Sequence, residues 1–147
     1  MHALIVECGS HRCALPIESV VETMRPLPIE QVPHVPDFVR GLAIVRGRAM
    51  PVVDLARVLG DSDGRVGRFV TVRAGGPGVA LAVRGVVGTQ VLELAQIEQL
   101  PPLAGRASPE LIRGLAVLDQ QFLLLLEVAR ILPPELAADL EARGSSA

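Results

Sequence analysis

Thiols and imidazoles crowd the start of the chain, where His2, Cys8, His11 and Cys13 lie close together in sequence. Such a set has the atoms to hold a metal ion or to run thiol–disulfide chemistry, as a small Cys/His metal or redox protein would. The C-x2-H-x-C spacing fits no usual zinc knuckle, and the segment reads as a hairpin with incidental cysteines. Cys8 and Cys13 could pair in principle, with free thiols the expectation in reducing surroundings. The third histidine, His34, stands apart, and there is no Ser-centred elbow, no HExxH and no Walker loop. GDSDG at residues 60–64 lacks the further oxygens and terminal Glu of a calcium loop and reads as a solvated turn. GGPG at residues 75–78 would cradle phosphate only if a helix followed, and a strand follows instead. Asp54 suits acid–base work, but Glu127 holds the corresponding place later in the chain and both suit a helix N-cap. The sequence therefore predicts no enzyme, no metal and no cofactor. Arg46 stands out: an arginine before Gly47, in a tight turn between apolar strands, needs a partner if it is screened from water. Glu22 on the preceding strand is the candidate, and the alternative is a guanidinium pointing into solvent.

The elements that must position these residues are short and repeated. RGLAIVRGRAMPVVDLARVL at residues 40–59 reappears as RGLAVLDQQFLLLLEVARIL at residues 113–132, at a constant offset of 73. PIEQVP at 28–33 parallels QIEQLP at 96–101, and CALPIESVVET at 13–23 parallels VALAVRGVVGT at 79–89. A period of half the chain argues for two similar subdomains packed together, since two units are too few for an open solenoid. The copies diverge at a turn, Arg46-Gly47-Arg48 against Asp119-Gln120-Gln121. Strands are predicted at 3–7, 19–24, 42–46, 50–53, 68–73, 79–83, 86–94, 115–118 and 122–126. A helical turn capped by Asp54 ends at Gly60, Glu127 opens its equivalent, and ELAADLEAR after Pro134 makes a short amphipathic helix with Leu136 and Leu140 inward. GDSDG and GGPG are expected as hairpin loops. Val52, Val53, Leu55, Leu124, Leu126 and Val128 are the predicted core. The chain, residues 1–147, is expected to form a single domain of two intertwined β-barrel subdomains, all-β in class, closed to remove exposed edges and meeting at a groove.

Composition narrows the function classes. The 147 residues are 50% hydrophobic yet hold three Phe and no Trp or Tyr, so the interior is built from Val, Leu, Ile and Ala. A net charge of −2 without charge runs, and without stacking aromatics, argues against nucleic acid as a partner. The start has no basic n-region, and the longest later apolar run, 122–126, is far short of a membrane span, which places the chain in the cytoplasm without direct membrane insertion.

Three blocks carry a family resemblance: Pro33-His34-Val35-Pro36-Asp37-Phe38-Val39-Arg40-Gly41, then Val45-Arg46-Gly47, then Pro51-Val52-Val53-Asp54-Leu55. Their order and spacing are similar to the P-x-x-P-x-F-x-x-G, N-L-R-G and P-V-V-D-L pattern of the CheW family of chemotaxis coupling proteins. LPIESVVET resembles that family's early strand, and Val83, Val86 and Gly88 resemble its VxxVxG element. The resemblance implies two five-stranded SH3-like barrels around a common core and a non-enzymatic adaptor. Its partners would be the cytoplasmic helical hairpin of a methyl-accepting chemoreceptor, the regulatory domain of a CheA-type histidine kinase, and other CheW-like proteins. It carries the binding role to Val20, Glu22, Gly41, Arg46 and Gly47 on the first barrel, and to Val86, Val87 and Val91 on the second. Arg46 would sit at the groove mouth, partly screened and within reach of Glu22. The sequence departs from the pattern at Ile44, where the family has Asn, and at Arg84, where it has an acidic residue. Those departures favour an alternative, an accessory member that binds receptor but couples kinase poorly.

Overall fold

Each β-branched run bounded by Gly or Pro becomes a strand, and the strands are joined mostly by tight turns. The computed structural model describes residues 1–61, 65–73, 76–95 and 111–145, with the backbone alone for 94, 95 and 145. Along the chain come β1 (His2–Cys8), β2 (His11–Pro16), a 3-10 turn (Ile17–Ser19), β3 (Val20–Met24), β4 (Val39–Val45), β5 (Arg48–Asp54) and α1 (Leu55–Val58). There follow β6 (Arg68–Val72), β7 (Val79–Val83), β8 (Gly85–Val91), β9 (Leu94–Ala95), β10 (Ile112–Leu118), β11 (Gln121–Leu126), a 3-10 turn (Val128–Arg130) and α2 (Pro134–Ser145).

The strands form two sheets, ordered β3-β6-β7-β5-β4 and β8-β1-β2-β11-β10-β9. The hairpin β6–β7, from the second repeat, completes the sheet of β3, β4 and β5, while β1–β2, from the first, completes that of β8, β10 and β11. The two repeats have exchanged hairpins. Registers match across the duplication: Val52 lies parallel to Ala80 in the first sheet as Leu125 lies parallel to Ala14 in the second. Bulges recur too, between Val39 and Gly41 and between Ile112 and Gly114, each placing an arginine, Arg40 or Arg113, at the irregularity.

The exchanged strands are buried on both faces, which is why they read as continuous apolar runs. Ala3, Ile5 and Ala14 face the interior of one barrel with Ala116, Leu123 and Leu125. Ala80 and Ala82 face the other with Ala43, Val45, Val52 and Phe69. Their alternate neighbours Leu4, Val6, Cys13, Leu15, Val70, Val72, Leu81 and Val83 meet in one central cluster drawn from both sheets. Each barrel interior mixes alanines with a few large side chains, Ile5, Leu123 and Leu125 in one and Phe69 in the other, while the seam is mostly Val, Leu and Ile. Helix α2 lies on β5, with Gly144 close against Ala49 and Leu140 buried in the central cluster. Arg143, paired with Asp139 at 3.0 Å, also donates to the Pro33 carbonyl.

Several expectations are adjusted. The second sheet has six strands rather than five, because the segment read as one strand at 86–94 breaks into β8 and the two-residue β9 on the far edge. Strand β2 is absent from the predicted strands because of its polar start, His11-Arg12, although it completes the hairpin expected around Cys8 and Cys13. Val52, Val53, Leu55, Leu126 and Val128 are buried, but Leu124 is only half-buried, at the margin of the central cluster, and Leu125 is the fully enclosed residue. Most of the GDSDG loop, Gly75 of GGPG, and the 96–101 block with Pro101-Pro102 lie outside the described residues.

Candidate functional site

The β4–β5 connection is a two-residue hairpin turn with both residues in the left-handed region, Arg46 at φ 52° and Gly47 at φ 80°. That is the turn whose twist suits a two-residue hairpin, and it asks for glycine or a tolerated polar residue. It throws the Arg46 side chain outward, where it is 81% exposed, so the expected partial screening is absent. The guanidinium nonetheless grips Glu22 in a two-pronged contact, Nε to Oε1 at 3.1 Å and Nη2 to Oε2 at 2.8 Å. Glu22 is on β3 and Arg46 follows β4, the two opposite edges of the five-stranded sheet, so the pair fastens the barrel where its hydrogen-bonded order ends. The hydrogen bond from Arg46 lowers the Glu22 carboxyl below its ordinary value, and the same contact raises the Arg46 value.

Glu22 is itself placed by a bulge. Val20 pairs with Val72 and Glu22 with Thr71, leaving Val21 looped out and 59% exposed. The buried Thr71 hydroxyl fills the gap, accepting from the Glu22 amide at 3.2 Å and donating to its carbonyl at 3.4 Å. Ile44, 65% exposed on β4, adds a second apolar side chain on the outside of this barrel. The site-bearing surface is therefore a charged clasp with apolar Val21 and Ile44 exposed on the same two edge strands. Exposure of Val21 follows from the bulge, which no pattern in the sequence marks.

The other predicted site residues are distributed differently. Val20 and Val86 occupy equivalent places on β3 and β8, half-buried against the central cluster. Val87, the bulged counterpart of Val21, and Val91 are exposed at 46% and 74% on β8, in the other sheet. Gly41 is buried at φ 142°, where an added Cβ would stand 2.1 Å from the Glu30 carbonyl oxygen. That close approach serves the Glu30–Leu42 bridge, closed by two backbone bonds of 2.8 and 2.9 Å. The structure thus gathers Glu22, Arg46 and Gly47, leaves Gly41 apart as a packing position at the other end of β4, and sets Val86, Val87 and Val91 on the second barrel.

Asp54 is tied up structurally. Its side chain, 2% exposed, receives Arg40 Nε at 2.9 Å and Nη2 at 2.8 Å on Oδ2, and caps α1 through the Arg57 amide at 3.4 Å. The P-V-V-D-L block therefore ends in a buried latch across the Arg40 bulge. Among the described residues no group of three or more His, Cys, Asp or Glu is placed to hold a metal, and His2 and His11 do not join the two thiols in one. A cleft of about 540 Å³ opens between β5, the β6–β7 connection and α2, bordered by Arg48, Met50, Arg73, Val79 and Leu132, and none of the predicted site residues lines it. No described helix is long and apolar enough to cross a membrane.

Residues 2–135 match the family model for the CheW-like domain. Protein FrzA of Myxococcus xanthus is 33% identical over 130 residues, covering 84% of this chain and 80% of that protein. Chemotaxis protein CheW of Klebsiella aerogenes is 26% identical over 135 residues, covering 90% and 81%. Among solved structures, scaffolding protein TtCheW from Thermoanaerobacter tengcongensis superposes with a TM-score of 0.71 at 21% identity, covering 86% of this chain and 88% of that one. This last likeness fixes the fold, a pair of SH3-like β-barrels.

Proposed function

Since the chain belongs to the CheW-like family of chemotaxis scaffold proteins, we propose that it couples the helical cytoplasmic tip of a chemoreceptor to a CheA-type histidine kinase, in the cytoplasm and without catalysis. The observation that carries this reading is the Glu22–Arg46 clasp. It presents a largely exposed guanidinium, held by Glu22, at the motif position, with exposed Val21 and Ile44 on the strands it joins. A helical partner is recognised by such a surface through a few aliphatic anchors, with charges that orient it. Weak individual contacts gain strength when many copies are held in an array. Val87 and Val91 supply a second exposed apolar surface on the other barrel, with half-buried Val86 at its margin, suited to a second partner.

Two features favour the accessory variant of this role. Ile44 replaces a polar family residue by an aliphatic one that is 65% exposed, and Arg84, also exposed, reverses a charge beside β8. The test is to measure binding of the receptor hairpin and of the kinase regulatory domain separately, with wild type and with Arg46→Ala. Coupling predicts binding of both partners and a several-fold weaker receptor contact in the variant. Receptor binding without kinase binding selects the accessory role, and loss of neither partner in Arg46→Ala removes the clasp from the interface.

A further inference from the structure

Cys8 and Cys13 remain unused by the reading above, yet they are the most closely juxtaposed reactive pair in the described structure. Their sulfurs are 2.9 Å apart, both residues are fully buried, and both are free thiols. In the β1–β2 register Cys8 opposes His11 and Cys13 opposes Val6, so the cysteines are diagonal neighbours. Diagonal side chains start about 7 Å apart, and these two reach contact only by turning toward each other inside the central cluster. We propose that they form a site of reversible oxidation, in which a hydroperoxide converts the dithiol to an intramolecular disulfide that staples the tip of the β1–β2 hairpin.

The location sets how this can happen. Cys8 lies one residue past the end of the β1–β8 ladder, which closes at Glu7 and Gly85. Beyond it the chain turns at Gly9-Ser10, and that turn is moored by Asp61, whose Oδ2 receives the Ser10 amide at 2.9 Å and its hydroxyl at 3.1 Å. Release of this mooring would loosen the turn next to Cys8 and admit a small oxidant to the sulfurs. The Cys13 thiol is held above its ordinary value, first by its hydrogen bond with Cys8 and then by burial. The closed hairpin therefore keeps the Cys13 thiol protonated and slow to react, because the thiolate is the nucleophile.

In the opened tip one thiolate attacks a peroxide oxygen, forming an S–O bond as the O–O bond breaks, and the departing hydroxide takes up the released proton as water. The second sulfur gives up its proton and attacks the sulfenic sulfur, forming S–S as S–O breaks and a second water leaves. Two thiols are oxidised to one disulfide and hydrogen peroxide is reduced to two waters. The sulfurs must close from 2.9 Å to the ~2.05 Å bond length. A loop this short gains little from restricting the unfolded chain, so a dithiol reductant reopens it readily.

The full chain is treated with hydrogen peroxide, denatured, alkylated and cleaved at arginine, which separates Cys8 from Cys13 at Arg12. The expected product is a monomer lacking two hydrogens. Its peptide ending at Arg12 remains linked to the peptide beginning at Cys13, and dithiothreitol restores both alkylatable thiols. Asp61→Ala, which frees the turn, should speed the loss of thiols several-fold. The proposal is overturned if both cysteines still alkylate after peroxide, if either accumulates sulfinic acid, or if the link forms between chains. An unchanged rate in Asp61→Ala overturns the route through the tip.

Discussion

The β4–β5 and β10–β11 corners carry the two copies of the repeated segment and make the same kind of turn, yet among the described residues only the first carries a clasp. Both turns place two residues at positive φ, Arg46 and Gly47 in one and Asp119 and Gln120 in the other. Around them the first barrel has Glu22 and Thr71 where the second has Gly88 and Ile5, paired in the same register across the same bulge. The first corner is basic and fastened to its edge strand. At the second, Asp119 stands beside Val117 and Phe122, opposed across the hairpin and 49% and 66% exposed. Common fold positions have been kept, and chemistry has been placed where a turn or a bulge costs the core nothing.

The largest test of this asymmetry lies below the surface. Gly41→Ala should cost about 3 to 4 kcal/mol, the sum of a strained positive φ and an overpacked contact with Glu30. Gly114, its counterpart, has nothing within 4 Å of an added Cβ, so Gly114→Ala should shift the denaturant midpoint by less than about 1 kcal/mol equivalent. Similar losses at the two glycines would break the comparison.

Next come the caps. Asp54→Ala leaves Arg40 without its buried acceptor and α1 without its cap, for an expected cost of about 3 kcal/mol. Glu127 makes no side-chain cap bond, so Glu127→Ala should cost under about 0.5 kcal/mol in the same urea titration.

At the turns the expectation is reciprocal. Gln120→Gly removes a Cβ from a left-handed position and should stabilise by about 1 kcal/mol, while Gly47→Gln should destabilise by a similar amount. A stabilising effect of both would show that turn strain does not distinguish the corners.

The smallest effect is electrostatic. Because the Glu22 carboxyl is lowered in the folded protein, the clasp's contribution is complete above the ordinary glutamate range and fades as pH falls through the lowered value. Thermal midpoints of wild type and Arg46→Ala should therefore differ at neutral pH and converge once the pH has fallen below the lowered Glu22 value. A constant difference would assign the effect to packing rather than charge.

Much of this was legible beforehand, for definable reasons. The offset of 73 located both hairpins with their turns, because glycine, aliphatic and capping positions recur where the backbone demands them. Glu22 was nameable as the partner of Arg46 because so few charges stand near an apolar turn. The hairpin exchange was not legible: strands buried on both faces lose the alternation that reveals orientation, and their partners are distant in sequence. Nor was the need for Gly41, which arises from a bulge meeting Glu30 across the β3–β4 connector. Arg46 was expected to be screened, but its outward-pointing turn leaves it in water.

The exchange of hairpins also governs the order in which the chain can acquire its shape. During synthesis β1–β2 emerges first, yet its sheet neighbours β8 and β11 come from the far half of the chain. Until they arrive, a hairpin apolar on both faces has no permanent home, and β3, β4 and β5 in turn await β6–β7. The first barrel can close once β7 has emerged at Val83, but the second is deferred until β10 and β11 arrive near the end of the chain, a dependence on distant pairings that slows folding.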